Sequence, residues 1–203
     1  MIESIGAVPH RCDITSEEDR ERLITEVGEC QFFVNSAGDN RVGPLGRVTA
    51  DDWRFVMETN LTAPFFLTRD VAERMTDGGS IVLVSSSAAR KAKPETGVYA
   101  AAKAGVASLV RSFALDLVDR GIRVNGVEPK IIDTPMQRAH VEKSAPLQGL
   151  TPEELHQARL EEVPMMRSGT PEECADVILF LLSPRSSYMT GQSLGVDGGW
   201  LMQ

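Results

Sequence analysis

The chain is 203 residues long and is short of several things, each of which narrows its role. Its three cysteines, Cys12, Cys30 and Cys174, are widely spaced and odd in number. That fits a reducing compartment better than a disulfide framework. Basic residues are outnumbered, with 21 Lys and Arg against 29 Asp and Glu and a net charge of −8. Such a balance argues against nucleic acid or an anionic membrane as a partner, because both select basic patches. His10, His140 and His156 are scattered, no Cys/His group has metal-ligand spacing, and no metal is expected. The longest apolar run, residues 177–182, is far shorter than the ~20 residues of a membrane-spanning helix. The N-terminus carries neither the basic nor the apolar region of a signal peptide, which makes the cytoplasm the expected location.

What is present points to chemistry. Tyr99 and Lys103 lie four residues apart, so on a helix they share one face. A lysine ammonium beside a phenol favours the phenolate and draws the tyrosine pKa from about 10 toward neutrality. A phenol tuned that way can serve as general acid and base for a carbonyl/alcohol pair. Upstream, residues 80–85 read as a buried strand running into hydroxyls at Ser85, Ser86 and Ser87, and residues 31–35 as an apolar strand that breaks at Asn35-Ser36-Ala37-Gly38. Asn60 sits between them in a helical pattern. Downstream follow Arg123-Val124-Asn125-Gly126-Val127-Glu128-Pro129 and, near the end, Thr190-Gly191 through Asp197-Gly198-Gly199.

The remaining pattern alternates strands with helices. A short strand is expected over residues 7–12, then a helix capped by Thr15 or Ser16 and closed by Gly28. A long helix is expected over 49–75, kinked by Pro64 and ended by Gly78-Gly79. Another is expected over 97–118, followed by a strand over 122–128 and an irregular stretch over 130–149. Thr151-Pro152-Glu153-Glu154 and Thr170-Pro171-Glu172-Glu173 each open a helix, and a last strand covers 192–196. Strands apolar on both faces between helices indicate an α/β fold around a parallel sheet, in one domain spanning residues 1–203.

In this order and spacing the motifs resemble the short-chain dehydrogenase/reductase family, from about Ala7 to Trp200. The resemblance implies a Rossmann-like, doubly wound parallel sheet flanked by helices. It implies an NAD- or NADP-dependent oxidoreductase that passes hydride between nicotinamide and an alcohol or ketone. Tyr99 then resembles the catalytic acid/base, Lys103 its activating lysine and ribose ligand, Ser86 the serine that polarises the substrate oxygen, and Asn60 the support of a proton relay. Asn35, Ala37 and Gly38 resemble the strand end behind the adenosine half of the cofactor, and Asp13 and Ile14 the pair that touches adenine. Pro129, Ile132 and Thr134 resemble the segment that lines the nicotinamide. Lys130 stands where the family has glycine, and its bulk and charge are expected to hinder the cofactor at that edge. The family also implies a homodimer or homotetramer.

One family element is missing. Neither G-x-G-x-x-G nor T-G-x-x-x-G-x-G occurs in the chain, so the turn that receives the pyrophosphate and the residue that selects NAD or NADP are not found. The sheet is therefore expected to lack the family's first two strands, leaving the edge of the 31–35 strand unpaired. Residues 7–13 could pair there, another chain could, or the 203 residues could be a shortened form of a longer enzyme. A different class of function stays open on the same grounds: a cofactor-impaired, non-catalytic subunit acting by association.

Overall fold

The computed structural model describes residues 6–91 and 94–202. Four strands, β1 (Cys30–Asn35), β2 (Met75–Val84), β3 (Arg123–Pro129) and β4 (Ser193–Val196), form one sheet in the order β1-β2-β3-β4, with every pairing parallel. Parallel neighbours need crossovers, and helices supply them. α1 (Glu17–Val27) precedes β1; the crossovers are α2 (Ala50–Met57), α3 (Ala63–Arg74), α4 (Gly97–Asp116), α5 (Pro135–Ser144), α6 (Pro152–Glu161) and α7 (Pro171–Leu182).

Side-chain alternation along β2 divides the core. Ile81 and Leu83 face a cluster with Leu67 and Val71 of α3 and Val106 and Val110 of α4. Val82 faces the other way, with Val127, against Leu181 of α7. Helices thus cover both faces of β2, while on the Val82 side β1 is open, with Phe32 and Val34 exposed. By length and composition α4 could cross a bilayer, but its Ala102, Val106, Val110 and Phe113 are core residues of this fold.

Helix starts follow their chemistry. Ser16 caps α1, and Thr49, Thr151 and Thr170 close reciprocal capping boxes with Asp52, Glu154 and Glu173. Gly28 ends α1 at φ 68°, a conformation that glycine adopts without strain.

Four expectations are corrected. Residues 7–12 form no strand; they run along α1, where His10 Nδ1 lies 2.7 Å from Glu26 and Arg22 donates to the Arg11 carbonyl. The long helix does not simply bend at Pro64. Its ladder widens over Glu58–Thr62 into a π turn, in which the Ala63 N–H donates to the Glu58 carbonyl. Proline has no N–H for the carbonyl four residues back, that of Asn60, and the wider ladder accommodates the loss. Gly78 and Gly79 do not end a helix but lie in a bulge of β2: Cys30 pairs with Met75 and Phe32 with Ser80, so residues 76–79 leave the ladder. A Cβ on Gly79 would come 2.7 Å from the Gln31 carbonyl. Finally, 130–149 is not irregular, because Thr134 caps α5.

Among the described residues nothing pairs with the outer edge of β1, where Phe32 is half exposed.

Candidate active site

The sheet's C-terminal ends and the start of α4 bring the motif residues together. Lys103 is buried, and its Nζ donates to the Val84 carbonyl at 2.9 Å. The same lysine is held from behind, since Ser85 Oγ donates to the Lys103 carbonyl at 2.7 Å. Tyr99, one turn earlier on α4, has its ring centroid 5.6 Å from Lys103 Nζ and its hydroxyl hydrogen-bonded to Ser86. Ser86 also accepts from the Ala88 N–H at 3.2 Å, which fixes its rotamer.

Asn60 sits in the π turn, fully buried. Its Nδ2 donates to the carbonyls of Val56 (2.8 Å) and Asp39 (2.6 Å), and its Oδ1 accepts from the Asp39 N–H at 3.2 Å. Asn60 thereby pins the loop after β1 against the long helix. A mid-helix asparagine is unfavourable by propensity, and these three bonds compensate it. On that loop, Asn35 Oδ1 accepts from the Ala37 N–H at 3.2 Å, while Asn35 Nδ2 is buried without a hydrogen-bond partner. Gly38 follows, where a Cβ would meet Asn60 Oδ1 and Lys103 Nζ. Asn35, Ala37, Asn60, Val84 and Lys103 line one small cavity.

Other predicted residues stand apart from this cluster. Asp13 is engaged in a local turn: its Oδ1 accepts from the Thr15 N–H and hydroxyl at 2.9 and 2.7 Å. Ile14 packs on the core beside Leu23 and Ile24. Pro129 ends β3, Ile132 bridges to Gly169, and Thr134 caps α5, forming a second wall. Lys130 does not project as expected. Its Nζ lies 3.6 Å from the ring centroid of the buried Trp200, a cation–π contact.

The electrostatics also differ from expectation. Burial pushes the Tyr99 phenol above its usual range, and only the Ser86 hydrogen bond pulls it back. Lys103 does not lower it, because burial lowers the lysine itself, to about 8. Desolvation at this helix start outweighs the mutual influence that the four-residue spacing suggests.

Sequence reasoning passed over Ser85, which backs the lysine, and Asp39, which engages Asn60 through its main chain. Ser85 differs from Ser86 only in the parity of the strand end, and backbone partners leave no mark in a sequence.

The arrangement fits a nicotinamide cofactor on its ribose side. Lys103 is an ammonium with three donors and one acceptor at Val84, and Asn35 offers an unpartnered buried amide N–H beside it. No glycine-rich cradle for a pyrophosphate occurs among the described residues.

Comparison with known proteins places the chain in a family and a fold. The family described as enoyl-(acyl carrier protein) reductase matches residues 1–201. The 3-oxoacyl-[acyl-carrier-protein] reductase of Thermotoga maritima is 41% identical over 181 residues, covering 88% of this chain and 69% of that protein. The 7alpha-hydroxysteroid dehydrogenase of Escherichia coli is 35% identical over 210 residues, covering 100% of this chain and 78% of that one. Among solved structures, an NAD+-bound xylitol dehydrogenase superposes with a TM-score of 0.90 at 31% identity, covering 98% of this chain and 82% of the other.

Proposed function

The chain belongs to the short-chain dehydrogenase/reductase family, and from that membership we propose that it reduces a carbonyl group with Tyr99 as proton donor. The observation that carries the proposal is the Ser86–Tyr99–Lys103 arrangement, in which a protonated phenol meets a serine hydroxyl at one mouth of the sheet. A phenol raised by burial is in its acid form at neutral pH, which suits donation to a developing alkoxide. Ser86 hydrogen-bonds the same oxygen and polarises the carbonyl. Lys103, lowered to about 8, is mostly protonated at pH 7 and lies close to its own titration, so it can return a proton toward Tyr99. Asn60 and Gly38 hold the loop that forms the floor. When bound, NAD or NADP supplies the hydride, held at its ribose by Lys103 and Asn35; the choice between the two is not encoded in the described residues. Asp13, Ile14, Ala37, Pro129, Ile132 and Thr134 belong to this reading as the further walls of the cofactor site.

The substrate is a modest apolar ketone. Residues 130–166, the segment taken here to cover the substrate, present Met136, Leu147, Met165 and Met166 with much of their surface exposed, and methionine adapts to several shapes. Assembly into a homodimer or homotetramer belongs to the same reading, by analogy with the family. The test is oxidation of NADH or NADPH with a panel of ketones, comparing the wild-type chain with Tyr99→Phe. Turnover lost in the variant supports the reading, and turnover kept removes Tyr99 from it.

A second reading is favoured by one observation, the unpaired outer edge of β1. An open edge is a template for pairing, and a chain that binds no cofactor would act through it as a non-catalytic partner.

A further inference from the structure

Glu128 is a buried acid that the mechanism above does not use. Its side chain is 1% exposed, on β3 at the position paired with Gly195 of β4. Burying a carboxylate costs several kcal/mol unless it is paired, and one close cation answers it. Arg90 places Nε 2.5 Å from Glu128 Oε2 as an ion pair, while neither Glu128 oxygen has a partner in hydrogen-bonding geometry. Arg111 of α4 attracts the carboxylate from one side, and Asp197, just past β4, repels it from another. Burial prevails over the two arginines and pushes Glu128 above the usual carboxylate range.

Arg90 is the far end of the turn that begins at Ser86. The turn covers Ser87–Ala89, with the Ala89 N–H donating to the Ser86 carbonyl (2.9 Å) and the Arg90 N–H to the Ser87 carbonyl (3.1 Å). One end is tied to the sheet by the Ser85 N–H, which donates to the Val127 carbonyl at 2.9 Å. Among the described residues the other end has no ladder, and beside Lys91, whose Nζ lies 4.9 Å from the Trp200 ring centroid, Arg90 tethers it: one guanidinium nitrogen meets Glu128, and Nη2 donates to the Ser193 carbonyl at 3.0 Å. Two strands thus hold the turn through one side chain.

We propose that Glu128 is a positioning residue, which through Arg90 fixes the turn carrying Ser86 and so sets where the Ser86 hydroxyl meets Tyr99. The inference rests on the Ser86–Tyr99 contact of the proposed site.

The chain has two tyrosines, and Tyr188 is fully exposed, so it serves as an internal reference. With 13Cζ-labelled tyrosine, each phenol gives one carbon resonance that reports its hydrogen bonding at neutral pH and its ionisation as pH rises, without any need for turnover. Ser86→Ala is expected to move the Tyr99 resonance and raise its midpoint, because the serine bond is what holds that midpoint down. Glu128→Gln is expected to move both the same way, and to add nothing when combined with Ser86→Ala. Arg90→Lys keeps a cation for Glu128 but loses the arm to Ser193, so it folds and gives a smaller displacement of the same sign. In turnover, Glu128→Gln should lower kcat by about tenfold to a hundredfold with the ketone KM little changed. If Ser86→Ala moves Tyr99 while folded Glu128→Gln and Arg90→Lys leave it at the wild-type position, the tether is only structural and the proposal is overturned. If Ser86→Ala itself moves nothing, the Ser86–Tyr99 contact fails, and the proposal falls with it.

Discussion

Gly38 lies so close to Asn60 that a Cβ added to the glycine would stand 2.8 Å from Asn60 Oδ1, and 3.3 Å from Lys103 Nζ. Neither neighbour can yield freely, since the Asn60 amide is bound on all sides and Lys103 is buried. Overpacking of this kind costs about 1–3 kcal/mol. Gly38→Ala should therefore lower the urea midpoint by that equivalent and weaken cofactor binding, and calorimetry of the same sample reads the second effect. An unchanged midpoint would mean that the loop after β1 shifts at no cost.

Tyr99→Phe removes only the hydroxyl that meets Ser86. Catalysis should fall by about 10²–10⁴-fold, the usual contribution of a positioned acid. The far-ultraviolet circular dichroism should stay that of the wild type, because the ring keeps its packing beside Val98 and Ala102.

Lys103 makes stability depend on pH in a definite direction. Its folded pKa of about 8 lies below the ordinary 10.5, so between those values the unfolded chain binds more protons than the folded one. Stability contributed by this group therefore rises as pH goes from about 8 toward 10.5, relieving the burial of a cation. Above pH 10 the raised Tyr99 works against it, because the unfolded phenol ionises first. Lys103→Met should flatten the rise between pH 8 and 10 in chemical denaturation. A rise retained in full would assign it to other groups.

Lys130→Gly tests the departure from the family pattern. With Nζ over Trp200, the lysine is expected to contribute about 0.5–2 kcal/mol of cation–π stabilisation and not to obstruct the cofactor. The variant should be less stable, with altered tryptophan emission and unchanged cofactor affinity. Tighter binding in the variant would show that the side chain does stand in the nicotinamide's way.

Much of this was legible in the sequence because its signals are local. The helix starts at Thr151 and Thr170, the apolar run of β2 and the Tyr99/Lys103 spacing each depend on residues a few positions apart. What escaped depends on distant partners. Gly78-Gly79 reads as a helix stop until the Gln31 carbonyl is seen against Gly79. The 7–12 stretch reads as a short strand until α1 offers it His10–Glu26 and Arg22–Arg11 contacts in place of a ladder. The Tyr99 pKa took the wrong sign because spacing shows a nearby lysine but not the burial of both groups. Arg90 and Glu128 are 38 positions apart, and no motif connects them.

The most direct test of the central claim is calorimetric titration of the folded chain with NADH and NADPH, beside Lys103→Met. Saturable binding of one of them, weakened at least tenfold in the variant, is the predicted result. Absence of binding to either by a sample that unfolds cooperatively would contradict the account.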